Sequence, residues 1–404
     1  MMRRQLHNIG MRTTLGLLAS ALVLHVSASR ALADSPPNET AKQPDTLRLY
    51  IGTYTSAASK GIYTLEMDVA TGRLGPVKLA AETANPSFLA LHPNGKFMYA
   101  VGELGDSQGR KSGAVSAFAI TPQNGDLKLL NQQPSGGYGP CHVVIHPDSQ
   151  HVLVANYSSG SAAVLPIRPD GQLGEPTAVV QHEGTGPHPQ RQQGPHAHAV
   201  QLDQAGRFAF VADLGLDKIL VYRFGRDTGT ITPNEPPAAK LAPGAGPRHL
   251  AFHPNGRLAY VINELDSTVT AFAYHAESGT LQNLHTLSTL PTGFAEPNTT
   301  AEIRVHPTGR FLYGSNRGHD SIATFTIEPQ TGRLTAIGHQ SSGGRTPRNF
   351  HIDPTGRWLV AANQASDTLV VLKIDPATGR LSPTGIIANV PTPVCIAFAA
   401  PPPH

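Results

Sequence analysis

The sequence predicts an all-β fold, a seven-bladed β-propeller closed by pairing of its N-terminal strands with its C-terminal strand. A turn of the type HPNGR recurs at positions 92, 146, 203, 253, 306 and 353. Successive turns lie between 47 residues (306 to 353) and 57 residues (146 to 203) apart. Short β-type runs, separated by Gly, Pro, Asn and Asp, fill each interval. Four strands per repeat at this period are typical of a propeller blade.

A second repeated turn and the two ends of the chain set the number of blades. This turn has a small or polar residue, a glycine, any residue and an aliphatic residue, and its glycines are Gly72, Gly125, Gly171, Gly229, Gly279, Gly332 and Gly379. Residues 47–74 contain the later strands of a repeat, and residues 391–400 contain only a first strand. Together they complete one blade and leave no free sheet edge in the ring. Six blades with an extra hairpin is the alternative, and the seven turn glycines argue against it.

Composition limits the possible partners. The chain has 404 residues, of which 39% are hydrophobic and 15% charged, so it can bury a large core. A net charge of +3, without a basic run beyond the N-terminus, gives no support for nucleic-acid binding. We expect Cys141 and Cys395 to lie in separate blades, too far apart for a disulfide, as two free, buried thiols. The oligomeric state stays open, and a monomer is compatible with the sequence.

The N-terminus has the pattern of an export signal. Basic residues precede an apolar run at 15–28, and Ala-Leu-Ala at 31–33 forms a small-x-small cleavage site. The run is too short to span a membrane. We therefore interpret residues 1–33 as a signal peptide and expect a periplasmic or secreted protein. An amphipathic or misassigned start is the alternative, and the choice between the general and the twin-arginine export route stays open.

The mature chain divides into two segments. Residues 34–46 are polar and rich in proline, so we expect a disordered leader. Residues 47–400 form the predicted propeller domain, with no membrane-spanning segment.

Alignment of the blades places charged residues at one mouth of the central channel. Counting back from each HPNGR-type turn, the first residues of the innermost strands are Ser87, Cys141, His198, Arg248, Ala301 and Arg348, followed by Phe88, His142, Ala199, His249, Glu302 and Asn349. The residues just after the second strands are Glu103, Tyr157, Leu214, Glu264, Arg317 and Gln364. We call one set of these mouth residues the cup: His198, Arg248, His249, Glu264, Glu302, Arg317 and Arg348. A polar, mostly cationic cup with a carboxylate suits an anionic or polyhydroxy ligand and acid–base chemistry.

One aligned position holds Asn or Asp in nearly every blade. It is occupied by Asn156, Asp213, Asn263, Asn316 and Asn363. A position that keeps one residue type is more simply explained by capping of the bend between strands than by ligand binding. If the cup binds a sugar, the candidates for its hydroxyl groups are His249, Asn263, Asn316 and Gln364, with Arg348 and His196 beside them.

The segment GPHAHAV contains a His-x-His pair whose role has three interpretations. Both imidazoles point to the same face if the segment is a strand. Together with His188 they could serve as three zinc ligands, but the loop between contains Pro and Gly and fixes no ligand spacing. A histidine cluster without function is the second interpretation. We favour the third, in which His198 faces the channel and acts without metal, while His196 lies on the rim.

Several segments resemble the propeller-type lactonase family. These are GPRHLAFHPNGRLAYVINELDSTV, HPQRQQGPHAHAV with ADLGLDKILVYRF, and PRNFHIDPTGRWLVAANQ, and the resemblance runs from about residue 47 to 399. The family includes propeller 6-phosphogluconolactonases and fungal carboxymuconate-lactonizing enzymes. The resemblance implies hydrolysis of a sugar δ-lactone without cofactor or required metal. It also implies four catalytic residues, His198, Arg248, Glu264 and Arg317.

The chemistry of a lactone assigns roles to these residues. Water must attack the carbonyl carbon, so a base must take its proton, and the candidates are His198 and Glu264. Arg248 and Arg317 would stabilise the oxyanion. We expect the fold not to need Arg248, because the same position holds Ser87 in another blade. A carboxymuconate cycloisomerase and a non-catalytic ligand-binding or scaffold propeller are the alternative functions.

Export gives a testable prediction. We expect the native mature protein to start near Asp34 and to be recovered outside the cytoplasm, because cleavage follows the Ala-Leu-Ala segment. N-terminal sequencing of the protein from its native host measures this directly. Recovery of the native protein with Met1 intact would contradict the signal-peptide interpretation.

Overall fold

The computed structural model of the chain describes residues 45–105, 109 and 111–399. It consists of seven four-stranded antiparallel sheets, the blades, with a single 3₁₀ turn at Gln364–Ser366. The seven-bladed propeller is therefore confirmed. The predictions for the signal peptide at 1–33 and for the leader up to residue 44 concern residues outside the described part. In that described part no helix is long and apolar enough to cross a membrane.

The strands follow one another blade by blade. Blade 1 contains β4 (Leu89–Leu91), β5 (Phe97–Gly102), β6 (Ala114–Ile120) and β7 (Leu127–Pro134). Blade 2 contains β8 (Pro140–Ile145), β9 (His151–Asn156), β10 (Ser161–Pro166) and β11 (Ala178–Gln181). Blade 3 contains β12 (Ala197–Leu202), β13 (Phe208–Asp213), β14 (Lys218–Gly225) and β15 (Thr230–Lys240). Blade 4 contains β16 (Pro247–Phe252), β17 (Leu258–Asn263), β18 (Thr268–His275) and β19 (Thr280–Ser288).

The remaining blades include the one that closes the ring. Blade 5 contains β20 (Thr299–Val305), β21 (Phe311–Arg317), β22 (Ser321–Ile327) and β23 (Leu334–Ser341). Blade 6 contains β24 (Pro347–Ile352), β25 (Trp358–Asn363), β26 (Thr368–Ile374) and β27 (Leu381–Asn389). Blade 7 joins the chain ends, in the order β28 (Pro393–Ala399), β1 (Thr46–Thr53), β2 (Gly61–Asp68) and β3 (Lys78–Glu82). The predicted closure by the two chain ends is confirmed.

The first strand of each blade faces the channel. These strands, β4, β8, β12, β16, β20, β24 and β28, contact one another around the ring. The second strands are buried along their whole length in most blades and fill the space between neighbouring sheets with Val, Leu, Tyr and Phe. Cys141 on β8 and Cys395 on β28 are both free and buried, as predicted.

The repeated turns connect each blade to the next. His253 donates a hydrogen bond from Nε2 to the carbonyl oxygen of Gly309, at 2.8 Å, and His306 does the same to Gly356, at 2.9 Å. The turn glycines also accept bonds from buried tyrosines, as in Tyr260 Oη to Gly332, at 3.2 Å. In the turns that begin with His, the repeat in the sequence is therefore also a repeat of inter-blade hydrogen bonds.

Tyr260→Phe tests the contribution of one such bond. The substitution leaves the buried carbonyl of Gly332 without its donor, and an unsatisfied buried acceptor costs about 1–3 kcal/mol. We expect a lower melting temperature and a lower denaturant midpoint. Tyr138→Phe is the matched control, because that side chain is 37% exposed. Equal stability of the two variants would contradict a structural role for the inter-blade bond.

Candidate active site

A β-bulge at the start of the innermost strands places side chains in the cup. In blade 4 the pairing passes from Pro247 directly to His249, while the partner strand advances by one residue, so Arg248 is the extra residue. The same irregularity occurs at His198 and at Arg348. Regular alternation would send neighbouring side chains to opposite faces of the sheet. The bulge instead lets Arg248 and His249 line the same cavity.

This cavity, which we call the inner cavity, lies at the mouth of the channel. Its lining residues are Tyr54, Ser87, Phe88, Glu103, Cys141, His198, Arg248, His249, Arg348, Asn349 and Val394. Its free space is about 10 Å³, close to the roughly 10–15 Å³ that one water molecule needs. Phe88 and His142 stack beneath it with ring centroids 4.0 Å apart.

Glu264 is the centre of the cup. Its Oε1 accepts a hydrogen bond from Arg191 at 2.6 Å, and its Oε2 lies 3.0 Å from Arg248 Nε and 2.9 Å from Arg317 Nη2. Burial raises the pKa of this carboxyl group, but Arg317, Arg248 and Arg191 outweigh burial and lower the pKa to about 2. With both oxygens engaged by guanidinium groups, Glu264 is poorly suited to accept a proton from water. Its contacts indicate an anchor for the arginines.

His198 lies beside this cluster as a buried imidazole. Its Nε2 is 3.8 Å from Glu264 Oε2, and its backbone carbonyl lies 3.2 Å from the Cys141 thiol. Burial and the positive charges of Arg248, His249 and Arg348 lower the pKa of His198 well below its ordinary value. The imidazole is therefore neutral near pH 7, and its protonation would add a cation to an already cationic site.

A second carboxylate, Glu302, contacts two of the residues that line the inner cavity. Glu302 is buried, 3.3 Å from His249 Nδ1 and 3.3 Å from Arg304 Nε, and it accepts a short hydrogen bond from Asn349. Burial raises the pKa of Glu302, but Arg304, His249 and Arg248 together bring it below its ordinary value. Glu302 is thus held among its neighbours in the same way as Glu264.

The structure adds residues that the sequence interpretation did not select. Glu103 accepts hydrogen bonds on Oε2 from Tyr54 Oη at 2.9 Å and from Ser87 Oγ at 2.5 Å. Arg348 Nη2 in turn donates to Tyr54 Oη at 2.9 Å. Glu103 occupies the same aligned position as Glu264, and this shared position was the signal that could have identified it. Arg191 reaches Glu264 from a loop 73 residues away in sequence, which no repeat predicts.

Two predicted substrate-binding residues, Asn263 and Asn316, make hydrogen bonds within the fold. The Asn263 amide nitrogen donates to Thr268 and Thr270, at 2.8 and 3.0 Å. The Asn316 amide donates to the carbonyl of Thr289 at 2.8 Å, and both asparagines are fully buried. These contacts assign Asn263 and Asn316 to the bend between strands, so their selection as sugar ligands is not supported.

The structure argues against the expectation that the fold does not need Arg248. Its side chain is only 3% exposed, because Nε pairs with Glu264 and Nη1 donates to the carbonyl of Ala301 at 2.7 Å. Removing a buried ionic partner costs stability even where another blade has serine.

The remaining predicted residues lie at the same mouth. His196 is half-buried and stacks on Tyr157 with ring centroids 4.5 Å apart, in agreement with a rim position. Gln364 is half-buried at the start of the 3₁₀ turn. Within the part of the chain that the structure describes, no group of three or more His, Cys, Asp or Glu residues is arranged to hold a metal ion.

Fold and cup together define a propeller enzyme with a buried arginine–carboxylate site at one mouth. Residues 48–398 match the family model "Lactonase, 7-bladed beta-propeller". The chain belongs to this family and is a lactonase, an enzyme class that acts on small-molecule lactones.

Similar proteins support this assignment. A 6-phosphogluconolactonase of Bacillus subtilis strain 168 is 39% identical over 301 residues, which cover 74% of this chain and 83% of the relative. A 6-phosphogluconolactonase of Formosa agariphila is 34% identical over 306 residues, which cover 75% of this chain and 85% of the relative. The structure of a periplasmic gluconolactonase of Pseudomonas aeruginosa aligns with a TM-score of 0.82 at 35% identity, covering 88% of this chain and all of that one.

Glu264→Gln tests the role of Glu264 as an anchor. Its pKa of about 2 in the folded protein is below the ordinary value of 4.5, so its contribution to stability is complete above pH 4.5 and disappears as the pH falls towards 2. We expect the variant to lose about 3–5 kcal/mol at pH 7, since three guanidinium groups lose their counter-ion, and to depend less on pH between 4.5 and 2.

The measurement is urea unfolding as a function of pH. Glu66→Gln is the control, because Glu66 forms an exposed ion pair with Arg48 and its loss should cost at most about 1 kcal/mol. A Glu264→Gln variant as stable as this control at pH 7 would refute the anchor role.

Proposed function

We propose that the protein hydrolyses the δ-lactone of an aldonic acid, a gluconolactone with or without a phosphate group, by direct attack of water without a metal ion. The observation that carries this proposal is the buried Arg248 beside a neutral His198 in the inner cavity. The lactonase family supports the reaction type. The names of the relatives, 6-phosphogluconolactonase and gluconolactonase, support the substrate class.

The cup is suited to the charge that develops in lactone hydrolysis. Attack of water on the carbonyl carbon produces a tetrahedral oxyanion, and fixed donors stabilise it as it forms. Glu264 and Ala301 hold the guanidinium of Arg248, while its Nη2 has no partner among the described residues. A neutral His198 can donate a second hydrogen bond to the oxyanion without adding charge to the free site. Arg317, held by Glu264, adds positive potential.

Substrate hydroxyl groups would bind around the rim of the cup. Arg348 lines the inner cavity, and Arg348, His196 and Gln364 are all only half-buried, which supports their role as candidates. His249 lines the inner cavity beside Arg248 and contacts Arg248 Nη1 at 3.2 Å, so it can position that guanidinium group. A periplasmic or secreted location would favour an unphosphorylated lactone, in agreement with the name of the Pseudomonas aeruginosa neighbour.

A substrate panel tests the proposed function. Purified protein is given glucono-δ-lactone, its 6-phosphate and a carboxymuconate, and acid release and ultraviolet absorbance are followed. We expect saturable acid release from at least one gluconolactone and no change with the carboxymuconate. Lactonization of the carboxymuconate alone would establish a cycloisomerase, and no reaction with any of the three would favour a binding propeller.

Arg248→Ala tests the oxyanion role. A group that stabilises a developing oxyanion contributes about 3–4 kcal/mol, so we expect kcat to fall about a hundredfold to a thousandfold. Because Arg248 is also buried, the rate must be compared at a temperature where thermal unfolding shows the variant to be folded. Arg357→Ala is the control, since Arg357 is exposed in a turn, and it should retain full activity. Normal turnover by folded Arg248→Ala would place the reaction elsewhere.

A further inference from the structure

We propose that Glu103 is the catalytic base that takes the proton from the attacking water. This inference rests on the proposed lactone hydrolysis and names a residue that the family resemblance does not supply. Glu103 lines the inner cavity together with His198 and Arg248. A water molecule in this cavity would have a carboxylate, an imidazole and a guanidinium group among the side chains around it.

The contacts of Glu103 orient one carboxylate oxygen and leave the other available. Tyr54 and Ser87 both donate to Oε2, at 2.9 and 2.5 Å. Oε1 accepts no hydrogen bond from any residue that the structure describes. A base needs a fixed position and a free oxygen within reach of the proton, and Glu103 satisfies both conditions.

Glu264 and His198, the other two candidates for the base, are less suitable than Glu103. Both oxygens of Glu264 are engaged by guanidinium groups between 2.6 and 3.0 Å away. Protonation of His198 would place an imidazolium among three positively charged or basic neighbours, Arg248, His249 and Arg348. Among the residues that the structure describes, no cationic side chain forms an ion pair with Glu103, and Arg348 contacts it only through Tyr54.

The proton and electron pairs balance in a single hydrolytic cycle. One O–H bond of water breaks and its proton goes to Glu103, while the water oxygen forms a bond to the carbonyl carbon. The carbonyl π pair becomes the oxyanion, which Arg248 and neutral His198 stabilise. When the oxyanion collapses, the bond between the carbonyl carbon and the ring oxygen breaks. Glu103 then gives its proton to that leaving oxygen, which regenerates the carboxylate and completes the aldonic acid.

Glu103→Gln tests the proposal in the full-length protein. Gln keeps the shape of the side chain but accepts no proton, so we expect kcat to fall about a hundredfold to ten-thousandfold with little change in KM. The charged or titratable groups that line the same cavity are Tyr54, Cys141, His198, Arg248, His249 and Arg348. Each stays unchanged in the variant.

A second variant and a control separate catalysis from structure. Formate should restore part of the activity of Glu103→Ala, because a small carboxylate can enter the space that the side chain leaves. Glu82→Gln removes an exposed carboxylate paired with Lys60 and should keep the parent kcat and pH profile.

Each other outcome overturns the proposal. Retained kcat, or a raised KM with kcat unchanged, would show that Glu103 is not the base. A lowered kcat of Glu103→Gln, without rescue of Glu103→Ala by formate, would show a structural role. These results leave lactone hydrolysis standing, whereas a parent protein inactive on every lactone removes the proposed function and the base together.

Discussion

The ion cluster centred on Glu264 is the interaction on which the site depends. One buried carboxylate holds Arg191, Arg248 and Arg317 within 3.0 Å of its oxygens. Without it, three guanidinium groups would repel one another in a region with little water. With it, Arg248 keeps a fixed orientation and one amino group unpaired among the described residues. In the proposed mechanism the carboxylate contributes through the placement of positive charge, a role that is compatible with its low pKa.

The ion cluster lies at the mouth of the channel, where the residue types differ from blade to blade. Inter-blade hydrogen bonds from histidines and tyrosines recur in several blades, and they fix the neighbouring sheets. At the mouth, the β-bulge adds one residue to the inner strand in several blades, and that residue differs between them, as Cys141, His198 and Arg248 illustrate. The blades therefore share one backbone arrangement but carry different side chains at the mouth. The bulge directs these side chains into one cavity.

Much of this architecture was predictable from the sequence, because the repeated turns reveal the number and order of the blades. The seven blades, the closure by the two chain ends and the meeting of His198 with Arg248 all follow from aligned turns. The acid–base assignment did not follow, because residue type does not reveal which carboxylate is neutralised. Glu103 and Glu264 share an aligned position, yet one meets two hydroxyl groups and the other three guanidinium groups. The bulge and the contact of Arg191 are likewise tertiary features with no sequence period.

The central claim is that the reacting carbon of the lactone lies in the inner cavity, next to Arg248 and Glu103. A crystal structure of the protein with gluconate, the product of hydrolysis, tests this most directly. We predict that the gluconate carboxylate lies within hydrogen-bonding distance of Arg248, with its hydroxyl groups towards the rim. The opposite end of the channel offers a larger space of about 310 Å³, lined in part by Arg304 and His351. Gluconate bound there, with the inner cavity free of it, would contradict the account.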